Sequence, residues 1–437
     1  PGMFNALAGM GGGGQLDPTA ASNGNVALYT CFSIGGFFSG AVVNKLGPSH
    51  SMALGAMTYG LYSASLLYYN HKESESFVVA AGAILGFGAA LIWTGQGAIM
   101  LSYPKESNKG KYIGLFWMIF NLGGVVGSII QLALNWSAES KSVNDGTYIG
   151  FIVLMTSGGI LSLCLLPPSK VYHNDGSYVV LQKYPKWSNE FLNVLKLFLD
   201  PNMLLLTPMF LANNWFYAYE FNVVNAFYFN IRTRALNNLF YWLAQIIGAI
   251  IIGKFLDFDK LTRKKRAIFG LVLLSIVIFV TWLGGLFNQL GYDRQGKLPR
   301  DNSGVDETIG ISADLFDNGY AQKLILYIAY GLCDAMFQCY AYWILGALTN
   351  DASVIARYAG CYKAIQSAGG AISWRIDAVK TSFLVEFFIC WALLAASMPG
   401  AFFVSLRIKD TNYTEGNPNN NERGDVEKNN VNATVEL

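Results

Sequence analysis

The chain has 437 residues, of which 53% are hydrophobic and only 13% are charged. An ordinary soluble domain carries about 25% charged residues, and a soluble chain of this length would need far more polar surface to cover its core. The composition therefore excludes an ordinary soluble protein and predicts an integral membrane protein. The net charge of +2 gives no indication of a nucleic acid or of an acidic partner.

Apolar runs long enough to cross a bilayer follow one another along the chain. A spanning helix needs about 20 mainly apolar residues. Eleven such runs lie at 24–44, 50–69, 77–102, 112–134, 147–166, 201–228, 235–256, 266–287, 321–347, 355–374 and 381–406. The sequence therefore predicts an all-helical protein with about eleven membrane-spanning helices.

The loops between these runs predict an orientation, because cytoplasmic loops are enriched in lysine and arginine. The richer loops are 103–111, 168–198 and 258–266, and the last of them contains the basic stretch KLTRKKR at 260–266. These loops are predicted to be cytoplasmic. Residues 1–23 would then lie outside the membrane, and the C-terminus would lie inside.

The same pattern predicts four parts of the chain. An N-terminal bundle covers 1–167, and a C-terminal bundle covers 199–407. Between them, the cytoplasmic loop 168–198 carries WSNEFLNVLKLF near its end, which is apolar at helical spacing and predicts a short interfacial helix. The polar, asparagine-rich tail 408–437 has no apolar periodicity and is predicted to be disordered.

A short motif occurs once in each predicted bundle. IGGFFSGAVVN at 34–44 and IGAIIIGKFLD at 247–257 share an Ile-Gly-x4-Gly spacing, and both end a helix that runs inward. Position, direction and spacing indicate a parallel repeat, as in transporters built from two similar bundles. The alternative is chance, since small residues at such spacing commonly let membrane helices pack closely.

These motifs resemble the G-x-x-x-D-R/K signature of the major facilitator superfamily, which follows the second and eighth helices of a six-plus-six fold. The resemblance implies a gating role at the cytoplasmic side for Gly40, Asn44, Lys45, Gly253 and Asp257. The turn at 253–266 is expected to pack against a neighbouring helix end, with Asp257 accepting a hydrogen bond there. The first copy departs from the signature, because Asn44 replaces its acid. If the first motif ends helix two, the eleven runs are helices two to twelve, and helix one is absent from the chain.

Longer stretches resemble the fungal members of the Unc-ninety-three-like family within that superfamily. They include PGMFNALAGMGGGGQ at the start, GQGAIMLSYPKESNKGKYIGLFWMIFNLGG at 95–124 and NIRTRALNN at 230–238. The resemblance extends over nearly the whole chain. It implies a major facilitator fold but little chemistry, because the fungal members are uncharacterised transporter-like proteins. Animal relatives are described as ion-channel regulatory subunits or receptor-trafficking proteins.

Polar residues inside apolar runs are the candidate cavity and substrate-binding residues, because a polar group in hydrocarbon must find a partner or line water. The superfamily resemblance implies that helices one, four, seven and ten line the cavity. The candidates are Trp93, Gln96, Asn121, Tyr217, Glu220, Tyr330, Asp334, Gln338 and Lys363. Glu386 is instead expected to reach the membrane interface. The alternative to a cavity role for Gln96 is a structural hydrogen bond to a neighbouring helix.

Asp334 is predicted to be the main polar centre of the second bundle. Tyr330, Asp334, Gln338 and Tyr342 recur every fourth residue and therefore share one helix face. Lys363 lies at a depth from which it could pair with Asp334. Such a pair would either be static or, if it does not form, leave Asp334 as a candidate proton carrier.

Two functions from different classes remain open at this stage. One is a secondary transporter that moves an unidentified small solute, with or without a proton, by alternating access. The other is a non-transporting regulator or trafficking partner of another membrane protein. The six cysteines form no C-x-x-C pair and the three histidines form no cluster, so no metal, cofactor or enzymatic activity is expected.

Overall fold

The computed structural model describes residues 1–15, 17–102, 109–137, 143–166, 170, 196–197, 199–258, 260–294, 312–349 and 352–410. In this part the chain is helical. The helices are α1 (Gly2–Gly9), α2 (Thr19–Leu46), α3 (Pro48–Lys72), α4 (Glu75–Ser102), α5 (Lys109–Asn135), α6 (Asp145–Ser162), α7 (Pro201–Ala212), α8 (Phe216–Ala218), the π-helical segment π1 (Tyr219–Ala226), α9 (Ile231–Leu256), α10 (Arg263–Gln289), α11 (Tyr320–Leu348), α12 (Ala352–Ala378) and α13 (Phe383–Arg407).

All eleven predicted runs coincide with helical segments, so the predicted all-helical architecture is confirmed. The run at 201–228 is divided into α7, α8 and π1, whereas the other ten runs are continuous helices. By length and composition, six helices within the described residues are long and apolar enough to cross a membrane. The interfacial helix predicted within 168–198 and the tail from 411 onward lie outside the described residues.

Helix α1 was not predicted. Residues 1–23 were expected to precede the first helix, whereas the structure has a helix at Gly2–Gly9. It packs along α5, where Gly2 meets Gly123 and Ala6 meets Gly127 at distances that leave no room for larger side chains. The spacing of Gly123 and Gly127 is the G-x-x-x-G pattern of closely packed membrane helices. Eight residues are too few to register as a spanning run, which explains why the sequence pattern missed the helix.

The two copies of the repeated motif pack in the same way. Helix α2 packs against α4, and α9 packs against α11. A Cβ atom on Gly35 would lie 2.8 Å from Phe87 Cδ1 of α4, and one on Gly248 would lie 2.6 Å from the Leu332 carbonyl oxygen of α11. The first glycine of each motif therefore lies at a close contact between the two helices. Helix α2 also packs on α12, and α5 packs on α9. These contacts join helices α1–α6 to helices α7–α13, which we call the two halves of the molecule.

We expect Gly248→Ala to destabilise the protein and Gly253→Ala, five residues along α9, to leave it unchanged or slightly more stable. The added methyl group at 248 must displace the α11 backbone, and overpacking of this kind costs about 1–3 kcal/mol. Among the described residues, apart from the neighbouring backbone of α9 itself, no atom lies within 4 Å of a Cβ at 253. Alanine favours a helix over glycine by about 1 kcal/mol. Thermal unfolding of both purified variants checks the difference, and equal unfolding temperatures would contradict it.

The turn after α9 contacts the end of α11, but not through the residue that the signature implied. Arg263 Nη2 donates to the Gly346 carbonyl oxygen at 3.2 Å, and Arg266 Nη1 donates to the Leu256 carbonyl oxygen at 3.1 Å. The carboxylate of Asp257 is exposed, and no donor reaches it within the described part of the chain. Among the described residues the turn therefore packs against a helix end as expected, but Asp257 accepts no hydrogen bond there. The side chain of Asn44, its counterpart, lies outside the described residues.

Candidate functional site

The segment that follows α7 is irregular, and the irregularity directs polar side chains into the core. Helix α7 contains Pro208, and the chain then passes through Asn214, which has a φ of 86°. The next segment, π1, is a π-helix, a rare form that is frequent at functional sites. It buries Glu220, Asn222 and Asn225, three polar residues within six positions.

Two buried carboxyl groups meet at one tyrosine. Glu220 and Asp334 are each 2% exposed. The Tyr241 hydroxyl oxygen on α9 lies 2.8 Å from Glu220 Oε2 and 3.1 Å from Asp334 Oδ2. Gln245 Nε2, one turn along α9, also donates to Asp334 Oδ2, and Gln338 Nε2 donates to Asp334 Oδ1 at 2.7 Å. Asp334 therefore has hydrogen-bond partners from two helices, and we call these five residues the carboxyl cluster.

The contacts at Tyr241 require a proton on one of the two carboxyl groups. A tyrosine hydroxyl has one hydrogen and can donate it to only one acceptor. The other carboxyl group must therefore donate its own proton to the hydroxyl oxygen. The two glutamine amides donate to Asp334, which suits an ionised acceptor, whereas Tyr241 is the one described hydrogen-bond partner of Glu220. The arrangement fits an ionised Asp334 and a protonated Glu220.

Lys363 lies near the carboxyl cluster in a cage of aromatic rings. Its Nζ lies 5.3 Å from the ring centroid of Trp93 on α4, 5.3 Å from that of Tyr342 on α11 and 5.2 Å from that of Tyr362 on α12. Such contacts stabilise an ammonium group over the faces of the rings. Within the described residues Lys363 forms no ion pair, so the possible pair with Asp334 does not form.

A second polar network binds the segment after α1 to the C-terminal half, and we call it the glycine-loop network. Arg234 of α9, which is 4% exposed, donates from Nε to the Met10 carbonyl oxygen and from Nη2 to the Gly11 carbonyl oxygen, both at 2.7 Å. Asn222 Oδ1 accepts from the Gly12 amide at 2.7 Å. The four glycines from 11 to 14 all have positive φ, a conformation that glycine adopts readily. We call residues 10–14 the glycine loop.

An ion cluster adjoins the glycine-loop network at the same end of the bundle. Arg294 Nη2 lies 3.1 Å from Asp377 Oδ1 and 2.6 Å from Glu386 Oε1. Asp377 Oδ2 accepts from Ser22 Oγ at 3.0 Å and from Asn222 Nδ2 at 2.5 Å. Glu386 lies in the first turn of its helix and is 4% exposed, so it is enclosed by the protein beside Arg294. Because Ser22 belongs to α2, this cluster also connects the two halves.

The structure brings together most of the candidate residues that the sequence identified. Those in or beside the carboxyl cluster are Tyr217, Glu220, Asp334, Gln338, Lys363 and Trp93. Tyr330 forms none of the described hydrogen bonds of the cluster, although it lies near Glu220, and its ring packs 5.3 Å from that of Trp282 on α10. Asn121 is buried on α5, and its Oδ1 has no hydrogen-bond partner among the described residues. Gln96 is half-buried on α4, one turn from Trp93.

The sequence interpretation missed the three α9 residues that complete these networks. Tyr241 and Gln245 are spaced four apart and share a helix face, and Arg234 lies further toward the start of the same helix. Two polar side chains on one face of the apolar run 235–256 were the signal that could have identified Tyr241 and Gln245. Arg234 lies one residue before the predicted run 235–256, so a search within the apolar runs did not include it.

Comparison with known proteins identifies the family. A family model described as ion channel regulatory protein UNC-93 matches residues 13–289. UNC93-like protein 1 of Arabidopsis thaliana is 46% identical over 421 residues, which cover 95% of this chain and 89% of that protein. UNC93-like protein C922.05c of Schizosaccharomyces pombe is 46% identical over 399 residues, covering 91% and 78% respectively. The predicted family is confirmed, and a plant relative is as similar as this fungal one.

Solved structures show the same fold at low sequence identity. The xylose transporter XylE from E. coli, in a partially occluded inward-open conformation, superposes with a TM-score of 0.62 at 14% identity and covers 94% of this chain and 97% of its own. A D-xylose–proton symporter superposes with a TM-score of 0.57 at 13% identity, covering 94% and 98%. The chain is therefore a multi-pass membrane protein that belongs to the UNC-93 family and has the major facilitator fold.

Proposed function

We propose that this protein is a secondary transporter that moves a small solute through the centre of the bundle and couples that movement to a proton. The observation that carries the proposal is the Tyr241 hydroxyl between two buried carboxyl groups, which together need one proton. A buried ionisable group in a membrane protein is costly and commonly marks a proton relay or an ion pathway. Glu220 is the proton-holding residue in this proposal, and Asp334 is the ionised partner.

The surroundings of Glu220 favour its neutral form. The titratable and charged groups around Glu220 and its partner Asp334 are Tyr217, Tyr241, Tyr327, Tyr330, Cys333, Cys339, Tyr362 and Cys390, with Lys363 facing Asp334 from α12. The only charged groups in this set are Asp334 and Lys363, and neither forms an ion pair with Glu220. A second negative charge beside Asp334 in this enclosed place would be costly, because like charges interact strongly where water is excluded.

A substrate panel in liposomes that contain the purified protein tests the proposal. We expect the uptake of at least one small solute to rise when an inward proton gradient is imposed and to fall when an ionophore removes the gradient. The Tyr241→Phe variant, which removes the shared hydroxyl, is expected to lose the response to the gradient. Proton-independent uptake would contradict the coupling, and absence of flux for all solutes would contradict transport.

One observation favours the alternative function, a non-transporting regulator. The ring of Trp117 on α5 contacts that of Tyr342 on α11 at 5.7 Å between centroids, so aromatic side chains of the two halves meet across the centre. Rings that stay in contact would hold the halves together and block a pathway. Absence of flux together with a channel or receptor that co-purifies from native membranes would support the regulator, which the family model's description also suggests.

A further inference from the structure

The aromatic cage around Lys363 leaves the hydrogen-bonding capacity of its ammonium group unused. An ammonium has three N–H donors and no acceptor, and ring faces satisfy such donors only weakly. Within the described residues no oxygen or nitrogen atom accepts a hydrogen bond from Lys363 Nζ. Asp334, the charged group that faces it, accepts instead from Gln245 and Gln338 and contacts Tyr241.

The rings beside Lys363 form an apolar surface that is partly exposed. Trp93 packs with Phe116, Trp117 and Phe120 of α5 at centroid distances of 5.4–6.3 Å. All four side chains are only half-buried, although they lie where α4 and α5 face the second half of the molecule. A flat ring could stack on such a surface, because aromatic pairs gain about 0.5–1.5 kcal/mol beyond the burial of their area.

From these two features we infer that the centre of the molecule binds a small aromatic carboxylate, whose carboxyl group pairs with Lys363 and whose ring packs against Trp93 and the α5 rings. A charge-assisted hydrogen bond from the ammonium to a carboxylate is stronger than a neutral one. A cationic solute is disfavoured, because Lys363 itself occupies the aromatic cage. The inference rests on the proposed transport function, because it names the class of solute that would be moved. Binding of that solute can nevertheless be measured without measuring transport.

Three compounds with the same ring and different charge test the inference. Benzoate, benzyl alcohol and benzylamine are added to the purified full-length protein, and thermal unfolding and affinity are measured. We expect benzoate alone to raise the unfolding temperature. In Lys363→Gln the affinity for benzoate should fall about tenfold or more, a factor of ten being about 1.4 kcal/mol, whereas Lys363→Arg should retain most of it.

Lys323 provides a matched control, because its Nζ also lies over a ring, 4.2 Å from the centroid of Tyr228. Unlike Lys363, it donates a hydrogen bond, to Asn288 Oδ1, and it lies outside the proposed site. Lys323→Gln should bind benzoate as the unaltered protein does. If Lys363→Gln does not fold, reductive methylation of the unaltered protein, with each lysine followed by mass spectrometry, replaces it. Benzoate should then protect Lys363, and benzyl alcohol should not.

Several results would overturn the inference. Equal responses to the three compounds, a preference for benzylamine, unchanged benzoate affinity in Lys363→Gln, or the absence of protection would each do so. The outcome separates this inference from the proposed function. Binding of benzoate without flux of any solute would contradict transport and leave the site intact. Proton-coupled flux of a neutral or cationic solute, without benzoate binding, would contradict the site and leave transport intact.

Discussion

Glu220→Gln is expected to remove one protonated carboxyl group from the core while the protein keeps its fold. The glutamine amide can donate to the Tyr241 hydroxyl oxygen as a protonated glutamate does, so Tyr241 can still donate to Asp334. Infrared spectra of the purified protein should show a carbonyl stretch of a protonated carboxylic acid that weakens in the variant. The unfolding temperature should change little, because no buried group loses a partner.

The same substitution should uncouple transport from the proton. A side chain that cannot release a proton cannot carry one, so the uptake that a proton gradient drives should fall to the level of protein-free vesicles. Exchange of solute across vesicles without a gradient should persist. Glu75→Gln is the matched control, because Glu75 is exposed at the start of α4 and should affect neither signal. An unchanged infrared band in Glu220→Gln would show that its carboxyl group is ionised and would contradict the assignment.

Asp334→Asn should behave differently from Glu220→Gln, and the contrast tests which carboxyl group is charged. An ionised Asp334 accepts hydrogen bonds from Gln245 and Gln338 on its two oxygens. An asparagine turns one of those positions into a donor, which leaves a buried donor unpaired at a cost of about 1–3 kcal/mol. We therefore expect a clear loss of thermal stability in Asp334→Asn. The opposite order of stability would indicate that the proton resides on Asp334.

The helices and their order were predictable because a bilayer imposes a length and an apolar composition on every spanning segment. For that reason the runs from 24–44 to 381–406 all coincide with helices. Helix α1 escaped because it has only eight residues. The break at Asn214 escaped because hydropathy averages over a window, and one residue with a left-handed backbone does not alter that average.

The candidate site was only half predictable from sequence. Periodicity places Asp334 and Gln338 on one face of a helix, and they do lie together. It does not tell which neighbouring helix supplies the partners, and these came from Tyr241 and Gln245 on α9. Depth along a helix suggested that Lys363 could meet Asp334. Depth does not fix the direction of a long side chain, and the ammonium group lies among aromatic rings instead.

Arg234→Gln is expected to weaken the contact between the glycine loop and the C-terminal half, and to open that end of the molecule. The guanidinium donates to the carbonyl oxygens of Met10 and Gly11 from a buried position. A glutamine is too short to reach both, and each buried carbonyl left unpaired costs about 1–3 kcal/mol. Alternating access requires the halves to separate at each end in turn. A weaker contact should therefore shift the population towards molecules that are open at this end.

Accessibility of a cysteine at position 22 measures this shift. Ser22 is fully buried between Asp377 and Asn222 and lies beside the glycine loop. In a Ser22→Cys background, Arg234→Gln should increase labelling by a membrane-impermeant maleimide, applied from the side that the lysine-poor loops predict to be outside. Arg232→Gln is the matched control, because Arg232 pairs with Asp314 and makes no described contact with the glycine loop. Equal labelling in both variants would show that Arg234 supports stability alone, and would exclude its role in holding the halves together.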